Sequence, residues 1–267
     1  MTKTIIITGA SSGIGKALAL LYASKKWNVV INGRKPEALS QTETELKKLG
    51  AEVLAVVGDV AVDTDCKKLI DSTVERFGSI DILINNAGIS MRAIFNDTGI
   101  EVIKQVMDIN FWGTVYSTKY ALPHLLKTNG SVVGISSVAG FKGLPGRTGY
   151  SASKFAMQGF LEALRIENRK TGLHILIACP GYTESNIRNV ALAANGKPQR
   201  ETPLNESKLM KAETVAEEIF KAIEKRQSVL TLTFQGKLLF FLNKFLPNLT
   251  DKLVYNAIAK EVDSPFK

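Results

Sequence analysis

Tyr150 and Lys154 are the two residues whose types and spacing first suggest chemistry. Residues four apart lie on one face of a helix, so the two side chains would meet there. A free tyrosine has a pKa of about 10, but a cation beside the phenol stabilises the phenolate and lowers that pKa. Tyr150 could then give a proton to a carbonyl oxygen or take one from an alcohol. The alternative is a tyrosine packed on a lysine stem along a surface helix, because so short a pair also occurs by chance.

A glycine-rich loop follows the first predicted strand, residues 3–8. The loop, residues 8–15, reads Thr-Gly-Ala-Ser-Ser-Gly-Ile-Gly, and an apolar helix begins at Lys16. This order predicts a dinucleotide site, because glycines let the backbone approach a pyrophosphate and the helix N-terminus offers N–H groups and positive dipole. An ordinary strand-to-helix turn is the alternative, and the three glycines and two serines of the loop favour the phosphate site over it.

The end of the second predicted strand, residues 27–32, indicates which nicotinamide cofactor binds. A carboxylate there would bind the ribose 2′-hydroxyl of NAD, but the strand is followed by Gly33 and Arg34. A guanidinium fork suits a 2′-phosphate, so the sequence predicts NADP(H), with an arginine on an exposed turn as the alternative. Asp59, after the third strand, is placed either to accept a hydrogen bond from the adenine amino group or to cap the next helix.

Polar side chains also stand at the ends of the fourth and fifth predicted strands. Asn85 and Asn86 end an apolar strand, where their amides would either bind a ligand or tie neighbouring strands together. Ser137 follows the fifth strand, at the edge where open α/β sheets bind ligands. Asn110 lies inside an apolar helix predicted over residues 99–126, a setting in which an amide bonds to backbone and bends the helix.

The alternation of strand and helix patterns predicts an α/β fold, a Rossmann-type doubly wound parallel sheet of about seven strands with helices on both faces. The later elements are a sixth strand, a helix and a last strand, predicted at residues 173–178, 208–226 and 228–233. The helix that begins at Tyr150 is predicted to end at about Thr171. Residues 1–235 would form the catalytic domain, in which the irregular polar segment 182–207 is a substrate loop. Residues 236–267 would be an apolar helical extension of the same domain.

The composition indicates which kinds of molecule the protein could bind. A formal net charge of +9 suits nucleic acid, an anionic membrane or a phosphorylated ligand, but the chain has no run of five like charges and no Arg-rich aromatic stripe. Nucleic acid is therefore not expected. The two cysteines and two histidines match no metal-ligand spacing, so no metal site is predicted. The N-terminus does not read as a signal peptide and no stretch is long enough to span a bilayer, which predicts a cytoplasmic protein.

Taken in order, these motifs resemble one family, the short-chain dehydrogenase/reductases in their compact single-domain form, over about residues 3–233. The resemblance implies hydride transfer between NADP(H) and a carbonyl or alcohol, with a catalytic tetrad of Asn110, Ser137, Tyr150 and Lys154. It also implies the cofactor-binding residues, which are Gly9, Ser11, Ser12, Gly13, Ile14, Gly15, Arg34, Asp59, Val60, Asn86, Ala87, Gly88, Tyr150, Lys154, Pro180, Gly181, Thr183 and Ser185.

The same resemblance implies a role for each member of the tetrad. Tyr150 would be the general acid and base, while Lys154 would lower its pKa and bond the nicotinamide ribose. Ser137 would hold the substrate oxygen, and Asn110 would hold a water that links Lys154 to solvent. Two positions depart from the family pattern. Thr183 stands where a β-branched apolar residue is more usual, and Ser185 stands where a threonine is more usual.

The predicted function is therefore that of an NADP(H)-dependent carbonyl reductase or alcohol dehydrogenase acting on a small apolar molecule, in a homodimer or homotetramer. A cofactor-binding regulatory protein that has lost catalysis is one alternative. Loss of Tyr150 or Lys154 would have favoured it, but both residues are present. A membrane-surface or partner-binding protein is another. A sugar-nucleotide epimerase is disfavoured, because the glycine spacing differs and no substrate domain follows.

The C-terminal segment, residues 237–246, predicts an amphipathic helix that Pro247 ends, with a second helix over residues 249–260. Its broad apolar face comprises Leu238, Leu239, Phe241, Leu242, Phe245 and Leu246. Lys237, Asn243 and Lys244 lie opposite, and Phe240 falls among them. The apolar face would pack on its own domain, on another subunit or on a membrane surface, the first two being favoured. We also expect the helix to cover the substrate entrance, as in family members that act on steroids, retinoids or other lipids.

Overall fold

Seven short apolar segments form a single parallel sheet in the computed structural model, which describes residues 2–199, 209–261, Ser264 and Phe266. The strands are β1 (Thr4–Ile7), β2 (Asn28–Gly33), β3 (Val53–Val57), β4 (Ile82–Asn85), β5 (Ser131–Ile135), β6 (His174–Cys179) and β7 (Val229–Thr231). They lie in the order β3-β2-β1-β4-β5-β6-β7, and all neighbours are parallel. The order reverses beside β1, and at such a point a doubly wound sheet opens a crevice for ligands.

Helices cover both faces of this sheet. Those of the described residues are α1 (Gly13–Ser24), α2 (Pro36–Lys48), α3 (Asp63–Phe77), α4 (Ile100–Met107), α5 (Gly113–Lys127), α6 (Thr148–Glu167), α7 (Ala212–Glu224), α8 (Phe234–Phe245) and α9 (Pro247–Ala259). The core cluster on one face takes its helical residues from α1, α2 and α7, and the cluster on the other face takes them from α3, α5 and α6. The predicted doubly wound Rossmann-type fold is confirmed.

The alternation of side chains along β1 shows how the sequence builds the two cores. Ile5 and Ile7 belong to one cluster and Ile6 to the other, and all three are completely buried. A strand covered on both faces needs apolar residues at every position, which explains the uninterrupted Thr-Ile-Ile-Ile run. Burying one isoleucine side chain contributes about 2–3 kcal/mol before conformational entropy is counted.

The long helix predicted over residues 99–126 forms, but not as one regular α-helix. A five-residue π-helical segment, Asp108–Trp112, joins α4 to α5. Asn110 lies in this segment, and its backbone carbonyl accepts a hydrogen bond of 2.9 Å from Thr114 Oγ1. π segments within α-helices are frequently found at functional sites. The disturbance expected at Asn110 therefore takes the form of a wider helical turn.

Several predicted elements are longer than the observed ones. The helix that begins at Thr148 ends at Glu167, because the Asn168 side chain bonds back to the carbonyl of Leu164 at 2.9 Å and closes the last turn. Helix α7 and strand β7 are likewise shorter at both ends than predicted, and Arg226 adopts a positive φ of 49° between them. Residues 200–208, which include the end of the predicted substrate loop and the start of the predicted helix, lie outside the described residues.

The C-terminal helices contact the loop that precedes α6. The ring of Phe240 meets the ring of Phe141 edge to face, with centroids 5.1 Å apart, and Asn243 Nδ2 donates to the Phe141 carbonyl at 2.9 Å. Asp251 of α9 pairs with Lys142 of the same loop. The contacts of α8 with this loop thus come from Phe240 and Asn243, which lie outside the broad apolar face, while Lys237 and Lys244 stay exposed.

Most of the broad apolar face of α8 is exposed, although Leu239 and Leu242 are half-buried. Leu238 is 45% exposed, and Phe241 and Phe245 are each 61% exposed. The face turns outward because Phe240 and Asn243 take the contacts with the loop. In the part of the chain that the structure describes, no helix is both long and apolar enough to cross a membrane.

Candidate active site

A cavity of about 640 Å³ opens at the carboxyl edge of the sheet, where strand order reverses. Every residue predicted to bind cofactor or to act in catalysis lines this cavity except Gly15 and Asn110. Those two stand immediately behind its wall. A Cβ on Gly15 would collide with Asn86 Nδ2, and a Cβ on Gly88, which does line the cavity, would lie 3.1 Å from Asn110 Oδ1. The sequence motifs therefore converge on one place.

The loop between β1 and α1 can follow its path only with glycine at two positions. Gly9 has a φ of +64° and Gly13 a φ of +53°, a region that glycine enters without strain. A Cβ on Gly9 would also lie 2.8 Å from the Cα of Ala87. The loop thus leaves an open cradle before the N-terminus of α1, which fits the pyrophosphate of a dinucleotide.

Asn86 ties the end of β4 to this loop. Its Nδ2 donates to the carbonyls of Thr8 at 2.8 Å and Gly9 at 3.0 Å, and its backbone N–H donates to Thr8 Oγ1. Asn85 points elsewhere and donates to Thr118 Oγ1 at 3.0 Å. Of the two roles open to this asparagine pair, the structure shows the tying of neighbouring elements.

Tyr150 and Lys154 lie on the first turns of α6, facing the cavity. The Lys154 ammonium donates to the carbonyl of Ile135, at the end of β5, at 2.8 Å and lies 5.8 Å from the centre of the Tyr150 ring. Ser137 follows β5 directly, and its hydroxyl accepts a hydrogen bond of 3.2 Å from the N–H of Ala139. Strand β5 and helix α6 together therefore position three of the four predicted catalytic side chains.

Asn110 supports this group from behind. Its side chain accepts from the N–H of Ile89 at 2.8 Å, donates to the carbonyl of Ile89 at 2.9 Å and donates to Ser153 Oγ at 2.9 Å. Both N–H bonds of the amide are thus occupied. Asn110 holds the segment after β4 against α6, and its predicted role in holding a water stays a prediction.

Arg34 stands at the opposite end of the cavity from Tyr150. Its Nη1 lies 3.6 Å from Asp59 Oδ2, and about half of its side chain is exposed. Asp59 Oδ1 also accepts from the N–H of Ala61 at 3.0 Å, while α3 is capped by Val62, so Asp59 shapes the turn rather than capping the helix. Lys35 lines the same end of the cavity, a second cation that the motif argument missed although it is adjacent in sequence.

The loop after β6 closes the cavity on the side of Pro180. A Cβ on Gly181 would lie 2.7 Å from a methyl of Thr233, the residue that caps α8. Thr183 is buried and its hydroxyl donates to the Gly181 carbonyl at 3.1 Å, while Ser185 packs against Gly13. A threonine hydroxyl is tolerated at position 183 because this internal hydrogen bond satisfies it.

Comparison with known proteins shows which protein family the chain belongs to. A family model described as short chain dehydrogenase matches residues 3–195. The chain belongs to the short-chain dehydrogenase family. One relative is 11-beta-hydroxysteroid dehydrogenase-like 4A of Arabidopsis thaliana, which is 36% identical over 92% of this chain and 82% of its own length. Another is 11-beta-hydroxysteroid dehydrogenase A of Arachis hypogaea, which is 36% identical over 95% of this chain and 75% of its own length.

Two solved structures share the fold. A short chain dehydrogenase/reductase from Burkholderia phymatum, in complex with NAD, has a TM-score of 0.84 at 26% identity and covers 93% of this chain and 95% of its own. An alcohol dehydrogenase from Thermococcus sibiricus, complexed with 5-hydroxy-NADP, has a TM-score of 0.74 at 24% identity and covers 87% of this chain and 96% of its own. This short-chain dehydrogenase is thus an oxidoreductase that uses a nicotinamide dinucleotide.

The electrostatics of the catalytic pair differ from the sequence expectation. Burial raises the pKa of the Tyr150 phenol above its usual value, and the Ser137 hydroxyl and the charge of Arg147 partly oppose that rise. Burial lowers the pKa of Lys154 from 10.5 to about 8. Desolvation of the phenol is therefore the dominant effect and Arg147 supplies an opposing positive charge, while stabilisation of the phenolate by Lys154 stays a prediction.

Motif reasoning missed several basic and polar residues of the cavity. They are Lys35, Arg92, Arg147, Tyr182, Arg188 and Gln199. Arg147 carried a signal, since it lies three residues before Tyr150 and hence one helical turn away. Arg92 and Arg188 carried none, because their places depend on how loops after β4 and β6 return to the cavity.

Proposed function

We propose that this short-chain dehydrogenase is an NADP(H)-dependent carbonyl reductase or alcohol dehydrogenase with a largely apolar substrate. The observation that carries the proposal is the single cavity in which the glycine loop meets Tyr150, Lys154 and Ser137. The nicotinamide, when bound, supplies or accepts the hydride. The Tyr150 phenol gives the proton to the oxygen that becomes an alcohol, and the Ser137 hydroxyl holds that oxygen.

Lys154 serves the same reaction through its charge. Its ammonium donates to the Ile135 carbonyl and lies 5.8 Å from the centre of the Tyr150 ring, and Lys154 lines the cavity. A cation in that place stabilises the phenolate that remains once Tyr150 has given up its proton. Asn110 keeps α6 and the segment after β4 in register, so the proton donor stays aligned with the cavity.

The preference for NADP(H) is supported by the charges at the β2 end of the cavity. Arg34 and Lys35 follow Gly33, and both line the cavity. Asn32, the residue before Gly33, turns its amide into the sheet and donates to the carbonyls of Val56 and Gly58. The 2′-phosphate of NADP would thus meet two cations at the place where NAD-dependent enzymes use a carboxylate.

A largely apolar substrate is supported by the cavity wall near Tyr150. The apolar side chains there are Ile89, Met91, Leu144, Ile187, Val190 and Leu192. Such walls bind apolar bodies, while a few polar groups fix their orientation. The plant relatives carry names of steroid dehydrogenases, which agrees with an extended apolar substrate.

The test is NADPH oxidation by the purified full chain over a panel of steroid, retinal, quinone, acyl and small aldehyde carbonyls. Tyr150→Phe removes the proton donor and keeps the ring, so we expect kcat to fall by about two to four orders of magnitude with cofactor affinity kept. Tyr255→Phe, at an exposed tyrosine of α9, is the matched control. Turnover retained in Tyr150→Phe would contradict the mechanism, and a wild type inactive on the whole panel would favour a non-catalytic cofactor-binding protein.

We further propose that residues 236–267 extend the domain formed by residues 1–235, in a homo-oligomer. Support for one domain comes from the Thr233–Gly181 and Phe240–Phe141 contacts, which join the C-terminal helices to the loops after β6 and β5. In the described part of the chain no residue of α8 or α9 lines the cavity, so the predicted covering of the substrate entrance is not supported. The C-terminal helices instead hold the loop between Ser137 and Tyr150.

A further inference from the structure

Two arginines stand in the cavity wall beside the catalytic tyrosine. Arg147 is the residue that precedes the first turn of α6, and Arg92 follows the buried Met91 on the segment after β4. Both line the cavity, and both side chains are 11% exposed. Buried arginines next to a reacting centre are expensive in free energy unless their charge is used.

A carboxylate from the C-terminal segment holds the two arginines together. Glu261 Oε2 lies 3.2 Å from Arg92 Nη2 and 3.5 Å from Arg147 Nη2, and the Glu261 side chain is 8% exposed. Glu261 itself does not line the cavity, so among the described residues it supports the arginines from behind. Their guanidinium groups therefore stand between this carboxylate and the substrate space.

Arg147 keeps hydrogen-bonding capacity that its described surroundings do not use. Its Nη1 is buried and has no hydrogen-bond partner among residues 2–199 and 209–261, and its Nη2 shares a single carboxylate oxygen with Arg92 at the longer of the two distances. A guanidinium offers five N–H bonds in a planar fork that matches two oxygens of one anion. A neutral apolar substrate would offer no anionic acceptor to the Nη1 end of that fork.

The surroundings of the two arginines combine apolar and cationic character. Met91, Leu144 and Leu192 line the same cavity, and Met91 is completely buried. Tyr182 lies within the electrostatic reach of Arg147, Arg92 and Arg188, whose charges each lower the pKa of its phenol against the effect of burial. This wall suits a ligand with an apolar body and one negatively charged end.

We propose that Arg147, with Arg92 beside it, binds an anionic oxygen group, a carboxylate or a phosphate, on the substrate of this enzyme. The inference rests on the proposed carbonyl–alcohol chemistry and adds a charge requirement to it. The substrate is then an amphipathic molecule whose carbonyl lies at Tyr150 and whose anion lies at Arg147. The role of Glu261 is to position the arginines, because it holds both from the side away from the cavity.

The proposal is tested with ω-oxo fatty acids of increasing chain length and their methyl esters, reduced by the full chain with NADPH. Each pair shares the aldehyde and differs only in the negative charge. We expect the acid to have a kcat/KM at least about tenfold above the ester at the best chain length, mainly through KM. Arg147→Met should remove this difference and Arg147→Lys should keep part of it.

The ratio of acid to ester is the decisive readout, because the charge of Arg147 also acts on Tyr150 and its loss will change kcat for both substrates. Arg76→Gln is the matched control, since Arg76 is an exposed arginine of α3 paired with Glu52. Equal use of acid and ester by the wild type would overturn the proposal. So would an Arg147→Met variant that lowers both by the same factor, which would assign Arg147 a purely structural role.

A binding experiment separates this proposal from the proposed reaction. Dodecanoate, dodecyl phosphate and dodecanol are compared for their effect on the thermal unfolding of the NADPH-saturated protein. We expect one or both anions to stabilise the wild type, dodecanol to do so less, and Arg147→Met to lose the difference. The first two probes distinguish a carboxylate from a phosphate. If the anions stabilise the protein but no carbonyl is turned over, the proposed reaction is refuted and the anion site stands. If all three compounds have equal effects, the anion site is refuted.

Discussion

Lys154 is a buried cation whose charge must be maintained against desolvation. The residue is 3% exposed, and its ammonium donates a hydrogen bond to the Ile135 carbonyl. Because a carbonyl compensates only part of the lost hydration, the pKa of Lys154 falls to about 8. Near neutral pH the lysine is still charged, yet it lies close to the pH at which it would lose its proton.

This depressed pKa predicts how stability depends on pH. The unfolded chain holds the Lys154 proton up to a pH near the usual 10.5, while the folded apo-protein releases it near 8. Between these values the unfolded state binds more protons, so the free energy of unfolding rises with pH through this window. Relative to Lys154→Met, we expect the wild type to gain up to about 3 kcal/mol there, measured by urea unfolding of both proteins over the same pH series. Parallel stability curves for the two proteins would contradict this reading of Lys154.

Arg34 is predicted to decide between the two nicotinamide cofactors. It lines the cavity and lies 3.6 Å from Asp59, a separation that leaves its fork able to turn toward a phosphate. We expect Arg34→Ala to weaken NADPH binding by about 1.5–3 kcal/mol and to leave NADH binding almost unchanged. Titration calorimetry with both cofactors measures the effect, and Arg76→Ala is the control for loss of an exposed arginine. A wild type that binds NADPH and NADH equally would refute the assignment.

Residues that act within one motif could be predicted from the sequence, and residues that act through distant contacts could not. Tyr150 and Lys154 are one helical turn apart, so local geometry alone brings them together. Arg92 and Glu261 are 169 positions apart, and their contact depends on where the chain runs after the end of α9. The pKa of Tyr150 was also beyond sequence reasoning, since the degree of desolvation depends on the packing of the whole site.

At the scale of elements, the strands could be predicted because each is a short β-branched run before a polar or glycine-rich turn. The helix ends were less accurate, because side-chain bonds such as that of Asn168 to Leu164 close a helix before its sequence pattern stops. The orientation of α8 was not predictable from its hydrophobic face. One aromatic contact and one amide hydrogen bond to Phe141 turn that face outward.

The hydrogen bond of Asn243 gives an element-scale prediction. Its Nδ2 donates to the Phe141 carbonyl, and its Oδ1 accepts from Thr250 Oγ1, so it joins α8, α9 and the loop before α6. We expect Asn243→Leu to lower the free energy of unfolding by about 1–2 kcal/mol and to reduce kcat, because the loop joins Ser137 to Tyr150. Lys244→Leu, at an exposed neighbour on the same helix, is the control. Unchanged kcat in a destabilised Asn243→Leu protein would show that the loop does not need the helix for catalysis.

At the scale of the whole molecule, the exposed face of α8 has the character of an interface. Leu238, Phe241, Phe245 and Leu246 are each between 45% and 61% exposed, and Leu249 and Leu253 of α9 add to the same C-terminal surface. Contiguous apolar surface of this kind marks a site of association with another protein or a membrane. Since these side chains stay exposed in the part of the chain that the structure describes, we expect them to pair with the same face of a second copy.

The test of that pairing uses a substitution that spares the active site. Phe241 and Phe245 touch each other, with ring centres 5.0 Å apart, and neither lines the cavity. We expect the wild type to be a dimer by light scattering and the double variant Phe241→Gln, Phe245→Gln to be a monomer of similar activity, because two phenylalanines per subunit leave the interface. Ile166→Gln, at an isolated exposed isoleucine on α6, should remain dimeric. A monomeric wild type that floats with anionic phospholipid vesicles, and loses this property in the double variant, would instead assign the face to a membrane surface.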